Sequence, residues 1–450
     1  MAKTVSPPLT LADRLAAPVQ RFLAIEAAST ILLLLASAIA LAWANSPWHE
    51  SYESLWSNTI GVSAGGWAFQ LSLGHVVNDG AMALFFFVVG MEIKHELVHG
   101  ELSSRERAML PVFGALGGMI VPAGIYLLFH GSTPAVSGWG IPMATDIAFA
   151  VAALAALGPR VPAGLKVFLL ALAIVDDLGA VMVIAIFYTH ALSLPALVAA
   201  AAGLGLIYGM NRAGVRSYFA YWVVGISVWA ATYASGIHAT IAGVLLGFLT
   251  PASRLDPADT LVARARRQAE ELFGLLERGS AAEERGRAAR ELSVVARGVL
   301  SPLESLTSAL HGWVAFVVMP VFAFANAGVR IEASGLADPL TRHVTFAVAL
   351  GLLVGKPLGI TLLAWLAVRL RLAVLPRGVG WSSIFGAGVL AGIGFTMALF
   401  ITALAFEDAA LVAASKIGIL GASIVAAILG LAWLSRSLPA PEPRRADRSF

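Results

Sequence analysis

The chain has 450 residues, of which 58% are hydrophobic and only 13% charged. A soluble domain carries about 25% charged residues, so this balance excludes an ordinary soluble globule and places most of the chain in lipid. The absence of cysteine excludes disulfides and thiolate metal sites, and the arginines behind the net charge of +3 lie scattered between apolar runs, without the aromatic-interleaved stripe that nucleic-acid binding requires.

Taken in order, the apolar runs predict twelve membrane spans, near residues 23–45, 72–95, 109–129, 135–157, 164–188, 194–211, 218–234, 237–250, 304–328, 343–368, 381–405 and 411–434. Lys3, Arg14 and Arg21 precede the first run, as in a signal peptide, but that run exceeds the roughly 7–15 apolar residues of a signal segment and reads as a transmembrane helix. Residues 1–22 form a cytoplasmic N-terminal segment, 23–250 hold spans one to eight, 251–303 form a charged cytoplasmic linker, 304–434 hold spans nine to twelve, and 435–450 form a tail. Within 46–71 the string GGWAFQLSL alternates apolar and polar residues after a Gly-Gly signal, which reads as a strand hairpin or a plain outer loop. The linker carries nine Arg against eight acidic residues over 252–300. Leu272, Leu275 and Leu276 there fall at helical spacing, so an amphipathic helix and a solvated linker both fit.

Basic residues set the orientation. No Lys or Arg lies between Trp43 and Ile93, whereas Lys94, Arg105 and Arg107 mark the next loop, Arg160 and Lys166 a second, Arg212 and Arg216 a third, and Arg369, Arg371 and Arg377 another on the same side. Only Arg330 and Arg342 break the pattern. Both termini are therefore expected in the cytoplasm.

Four of the charged residues inside these spans, Asp146, Asp176, Asp177 and Lys356, carry the chemistry. Asp176 and Asp177 lie side by side in ALAIVDDLGA, inside the apolar run 167–188. One charge at mid-membrane costs about 3 kcal/mol even on lenient insertion scales, so two adjacent carboxylates call for an ion, a proton or a cationic partner. Asp146 is the lone charge of GIPMATDIAFA, just after Pro142 and Thr145. Proline removes a backbone donor, and a broken helix at membrane depth is tolerated only beside a cavity or ion path. Lys356 in VGKPLGI lies about 13 residues from either end of its span, too deep to snorkel, so Asp176 or Asp177 is its natural partner. The eleventh span contains GAGVLAGIGFT, with four glycines in eleven positions, which reads as close packing or as an unwound segment.

Together the strings ATDIAFA, ALAIVDDLGA, GKPLGI, FAFANAGV and GIGFTM resemble the NhaA-type bacterial sodium/proton antiporters, over nearly the whole chain. The resemblance implies an all-α polytopic membrane protein of 12 transmembrane helices, built as inverted repeats with spans 4 and 11 discontinuous and crossing. It implies a secondary transporter, not an enzyme, that exchanges cytoplasmic Na+ or Li+ for external protons, electrogenic and pH-regulated, with no cofactor. It also implies a homodimer joined through the 46–71 hairpin, in the bacterial inner membrane with its lipid bilayer as the other partner. By resemblance Asp177 is the principal Na+ ligand, with Thr145 beside it; Asp176 is a ligand that also carries the proton and pairs with Lys356. Asp146 offsets the positive half-helix ends, as Lys356 offsets the carbonyl ends. Glu92, Lys94, His95 and Glu96 match the region tied to pH activation, although they also read as an ordinary interfacial charge cluster. Asp79, His75 and His238 read as structural or outer-path residues. The longer linker and the sparse titratable groups around Glu304, Thr307 and Ser308, where His311 is kept, depart from the family pattern and bear on pH activation, not on the ion site.

Two other readings compete. A sodium-coupled symporter of an organic solute would share the crossed broken helices. An intramembrane aspartyl protease would use paired aspartates for acid–base hydrolysis. Adjacent residues on one helix diverge by about 100°, however, and no Gly-x-Gly-Asp string occurs.

Overall fold

The computed structural model describes residues 28–438, apart from 65–66, 190–191, 216, 254–257, 280, 299–300 and 332–337. The expected N-terminal segment, the start of the first span and most of the tail lie outside the described residues. Nearly everything described is helical. Among the described residues, eight helices are long and apolar enough to cross a membrane: 73–98, 105–130, 134–156, 163–187, 194–212, 302–326, 339–369 and 409–437. Two bent pairs add to these. One is α1 (Ala28–Ala44) with α2 (His49–Ser57), bent by 115°; the other is a break within the eleventh expected span, bent by 49°. Two shorter apolar helices fall where spans seven and eight were expected.

The segment over 46–71 contains a hairpin. Strands β1 (Thr59–Ala64) and β2 (Trp67–Ser72) pair antiparallel, Thr59 opposite Ser72 and Ala64 opposite Trp67. Helix α2, which sequence patterning did not suggest, leads into it. Helix α3 (Met82–Val98) follows a π turn at Val76–Ala81, and α4 (Arg105–His130) comes next. A 3-10 stretch (Pro134–Met143) is separated from α5 (Ile147–Ala156) by three extended residues, and α6 (Ala163–Phe187) follows. Helices α7 (Leu194–Arg212), α8 (Tyr218–Ala234) and α9 (Ala239–Leu249) complete the first half. The charged linker forms two helices, α10 (Ala258–Glu277) and α11 (Ala282–Gly298), packed on each other. Its two ends are drawn together, because Leu303 N donates to Pro251 O at 3.1 Å.

The second half begins with α12 (Pro302–Trp313), which continues through a π turn at 314–318 into α13 (Met319–Asn326). Helix α14 (Pro339–Leu350) likewise runs through a π turn at Gly351–Gly355 into α15 (Lys356–Arg369). Helices α16 (Trp381–Ala391), α17 (Phe395–Ala405) and α18 (Ala409–Ser437) end the fold. The starts have local causes. Ser301 and Glu304 close a reciprocal capping box with Pro302 at the first helical position, and Asp338 and Asp408 cap α14 and α18. Both π turns of the second half are followed by a proline at the second position of the next helix, Pro320 and Pro357. Lacking an N–H, proline leaves a carbonyl of the preceding turn unpaired, and the ladder widens there.

Lipid supplies no hydrophobic drive between helices, so close approach of small residues must hold them. The closest crossing is that of α15 on α4, where a Cβ added at Gly117 or at Gly359 would overlap the other residue's backbone carbonyl. Gly359→Ala is therefore expected to destabilise the protein by about 1–3 kcal/mol, as overpacking does. Gly124→Ala, on the same helix α4 but with nothing within 4 Å of the new carbon, should stay within ~0.5 kcal/mol of wild type. Thermal unfolding in detergent compares the two.

Candidate functional site

The two interruptions foreseen in the sequence meet. In the first, residues 144–146 are extended between the 3-10 stretch and α5; in the second, residues 392–394 separate α16 from α17. The groups that each break leaves open are taken up by the other. Asp146 N donates to Ile393 O at 2.7 Å, and the Thr145 hydroxyl donates to Ala391 O at 2.9 Å, so the carbonyl end of α16 is closed from the opposite break. The Asp146 carboxylate serves two helix starts together. Its Oδ1 accepts from Phe149 N at 3.2 Å, capping its own helix α5, and its Oδ2 accepts from Thr396 N at 3.1 Å, capping α17. The Thr396 hydroxyl donates to the same Oδ2. A negative charge between two positive helix ends is favourable by both hydrogen bonding and dipole.

Lys356 enters from the π turn that precedes it. That turn is wedged between two prolines: a Cβ at Gly351 would stand 2.6 Å from Pro142 Cβ, and one at Gly355 would stand 2.8 Å from Pro122 Cα. The Lys356 ammonium donates to Asp176 Oδ2 at 2.7 Å and to the Thr145 hydroxyl oxygen at 2.8 Å. Thr145 thus links the lysine to the carbonyl end of α16. Asp146, Asp176 and Asp177 are 1% exposed and Lys356 is 0% exposed. Asp176 Oδ1 and Asp177 Oδ2 are buried without a hydrogen-bond partner. Two oxygens of adjacent carboxylates are therefore held out of water with nothing to donate to them, an arrangement suited to a proton or to a hard cation that prefers oxygen. Among the described residues no three His, Cys, Asp or Glu side chains converge on one point as a metal cluster. Asp146 is committed to the helix ends, and the Thr145 hydroxyl is shared between Ala391 O and Lys356.

The structure thus brings together Thr145 and Asp146, Asp176 and Asp177, and Lys356 from three separate stretches of the sequence. It does not bring the 92–96 cluster into that contact set. Lys94 donates to Phe248 O at 2.7 Å and Thr250 O at 2.6 Å, tying α3 to the carbonyl end of α9. Glu96 accepts from Glu101 N at 2.9 Å, the His95 ring lies 5.6 Å from that of His99, and Glu92 faces His311 at 3.6 Å. His75 bonds Ser72, His238 Nε2 donates to Tyr188 O at 2.8 Å, and Asp79 offers its backbone carbonyl to Trp229. Sequence reasoning missed Thr396, although GIGFTM carried it: a threonine two residues past a glycine break stands in the first turn of a helix, where its amide and hydroxyl share one acceptor. It also missed the π turn before Lys356, which the Gly-Lys-Pro string hints at.

A helical membrane protein that buries a carboxylate pair, a lysine and two mutually closed helix breaks at one place has the build of an ion-coupled transporter. The Na+/H+ antiporter 1 family model matches residues 20–434, and the chain belongs to that family. The chain is 50% identical over 443 residues to the Na(+)/H(+) antiporter NhaA 2 of Myxococcus xanthus, covering 98% of this chain and 94% of the relative. It is 48% identical to the Na(+)/H(+) antiporter NhaA of Rhodopirellula baltica, with 96% and 97% covered. A solved sodium proton antiporter from Methanocaldococcus jannaschii aligns over 95% of both chains at 15% identity and a TM-score of 0.45.

Removing one partner of a buried ion pair leaves the other charge uncompensated and costs about 3–5 kcal/mol. Lys356→Leu should therefore melt well below wild type, and adding Asp176→Asn should recover much of the loss. Thermal unfolding of the two single variants and the double variant measures the coupling directly.

Proposed function

We propose that this protein exchanges cytoplasmic Na+ for external protons, with Li+ able to replace Na+, at the site built around Asp176 and Asp177. The observation that carries the reading is the charge count of the buried cluster: three carboxylates, Asp146, Asp176 and Asp177, against the single ammonium of Lys356. The two helix N-termini offset Asp146, and Lys356 offsets Asp176, which leaves Asp177 to be balanced by a bound cation or a proton. Na+ and H+ then compete for one site, and competition for one site is exchange.

In this reading Asp177 is the principal ligand, with Asp176 and the Thr145 hydroxyl contributing oxygens. The carboxylates titrate as a coupled pair, and Lys356 leaves Asp176 when Na+ arrives. Each cycle moves more protons inward than Na+ outward, so the inside-negative potential drives export at about 2.3 kcal/mol per net charge per 100 mV. Spans four and eleven cross at the interrupted segments as corresponding parts of two inverted repeats among twelve spans. Both termini face the cytoplasm of a bacterial inner membrane, and two copies associate through the β1–β2 hairpin. Glu92, Lys94, His95 and Glu96 form the cytoplasmic region that responds to pH, with the Glu92–His311 pair as its titratable link.

Everted vesicles energised by respiration test the reading: Na+ added to wild type should release protons from the lumen in a pH-dependent way. Asp177→Asn should abolish that release, while the protein remains in the membrane. An Asp177→Asn protein that still exchanged Na+ for protons would end the assignment. Lys356→Ala is expected to lose most of the pH dependence and of the charge movement, read as the effect of a potential clamp on the rate.

A further inference from the structure

The start of α17 offers two amides to the break, and they are taken by acceptors from different helices. Thr396 N goes to the charged Oδ2 of Asp146, at 3.1 Å. Phe395 N goes instead to the hydroxyl of Ser423 on α18, at 3.2 Å. Ser423 is buried on the face of α18 that turns to the core, in line with Ile419 and Ala426. Helix α18 is 29 residues long and unbroken, and it packs against α14, α16 and α17. It is a rigid post beside two broken helices, and its only polar contribution to the break is this one neutral oxygen among the described hydrogen bonds.

We infer that Ser423 is a positioning residue for the ion site, acting through α17 and Asp146. The inference rests on the exchange reading above. By occupying the Phe395 amide, Ser423 leaves the Asp146 carboxylate free to divide its two oxygens between Phe149 N and the Thr396 pair of donors. Without the hydroxyl, the buried Phe395 amide loses its acceptor next to the Thr396 amide that the carboxylate holds, and the two neighbouring amides compete for it. Asp146 is then drawn towards α17 and away from α5, and the adjacent Thr145, whose hydroxyl accepts from Lys356, moves with it. A buried donor left unpaired is expensive, which is what forces the rearrangement.

Ser423→Ala should raise the apparent KM for Na+ about three- to tenfold, the fold-change of one net hydrogen bond, and shift the pH of half-maximal exchange. The maximal rate should stay within about twofold of wild type. Ser423→Thr, which keeps the hydroxyl, should restore both KM and pH profile. Combined with Thr396→Val, the Ser423→Ala effect on KM should fall short of the product of the two single effects, because both act on one carboxylate. If Ser423→Ala fails to accumulate in the membrane, Ser423→Cys, whose sulfur is a weak acceptor, should show an intermediate KM. An unchanged KM and pH profile in the Ala or Cys variant overturns the inference, as do equal shifts in the Ala and Thr variants or independent effects in the double variant. Wild type assayed alongside separates the two ideas: if it exchanges no Na+, the exchange reading fails, and if it does while Ser423→Ala matches it, only the role of Ser423 fails.

Discussion

Backbone that is not helical at membrane depth must find partners inside the protein, because the hydrocarbon offers none. The rest of this structure follows from how that constraint is met. Two helices are interrupted, at residues 144–146 and 392–394, and each interruption supplies what the other lacks. The open carbonyls of α16 take the Asp146 amide and the Thr145 hydroxyl, and the open amides of α17 take the Asp146 carboxylate and the Ser423 hydroxyl. Neither break would be stable alone. Their mutual closure gathers polar groups at a point surrounded by apolar spans.

That closure explains why the charges are affordable. Asp146 sits where two positive helix ends point, so its charge is held by three amide and hydroxyl donors and by the aligned dipoles. Lys356 is presented by a helix whose π turn is wedged against Pro122 and Pro142, and it reaches both Thr145 and Asp176. The lysine therefore joins the break to the carboxylate pair on the unbroken helix α6. Asp177, one residue on, is left with neither a cation nor a helix end.

The periphery follows different rules. Lys94 spends its ammonium on the carbonyl end of α9, and Glu96 spends its carboxylate on a local amide. Both contacts hold α3 to its surroundings. A short string of charges such as GMEIKHEL can be read as a sensor or as a set of helix ties, because residue type does not say which backbone group a side chain meets. The linker was likewise open between helix and solvated chain. It folds as two helices whose ends are pinned by the Leu303–Pro251 hydrogen bond, a long-range contact that has no local signature.

The sequence alone determined that this is a helical membrane protein, because a chain with 13% charge and runs of about twenty apolar residues has no other low-energy state in a bilayer. It also singled out Asp146, Asp176, Asp177 and Lys356, since an ionisable residue inside such a run is conspicuous by its cost. The residues by themselves left the partner of Lys356 open between Asp176 and Asp177 and the family resemblance pointed to Asp176; the contact itself joins helices far apart in the chain and exists only in the tertiary structure. The double capping by Asp146, and with it the parts played by Thr396 and Ser423, was decided there too. Helix ends broken at distant positions acquire partners only when packing brings them within hydrogen-bond reach, and that reach is a property of three dimensions.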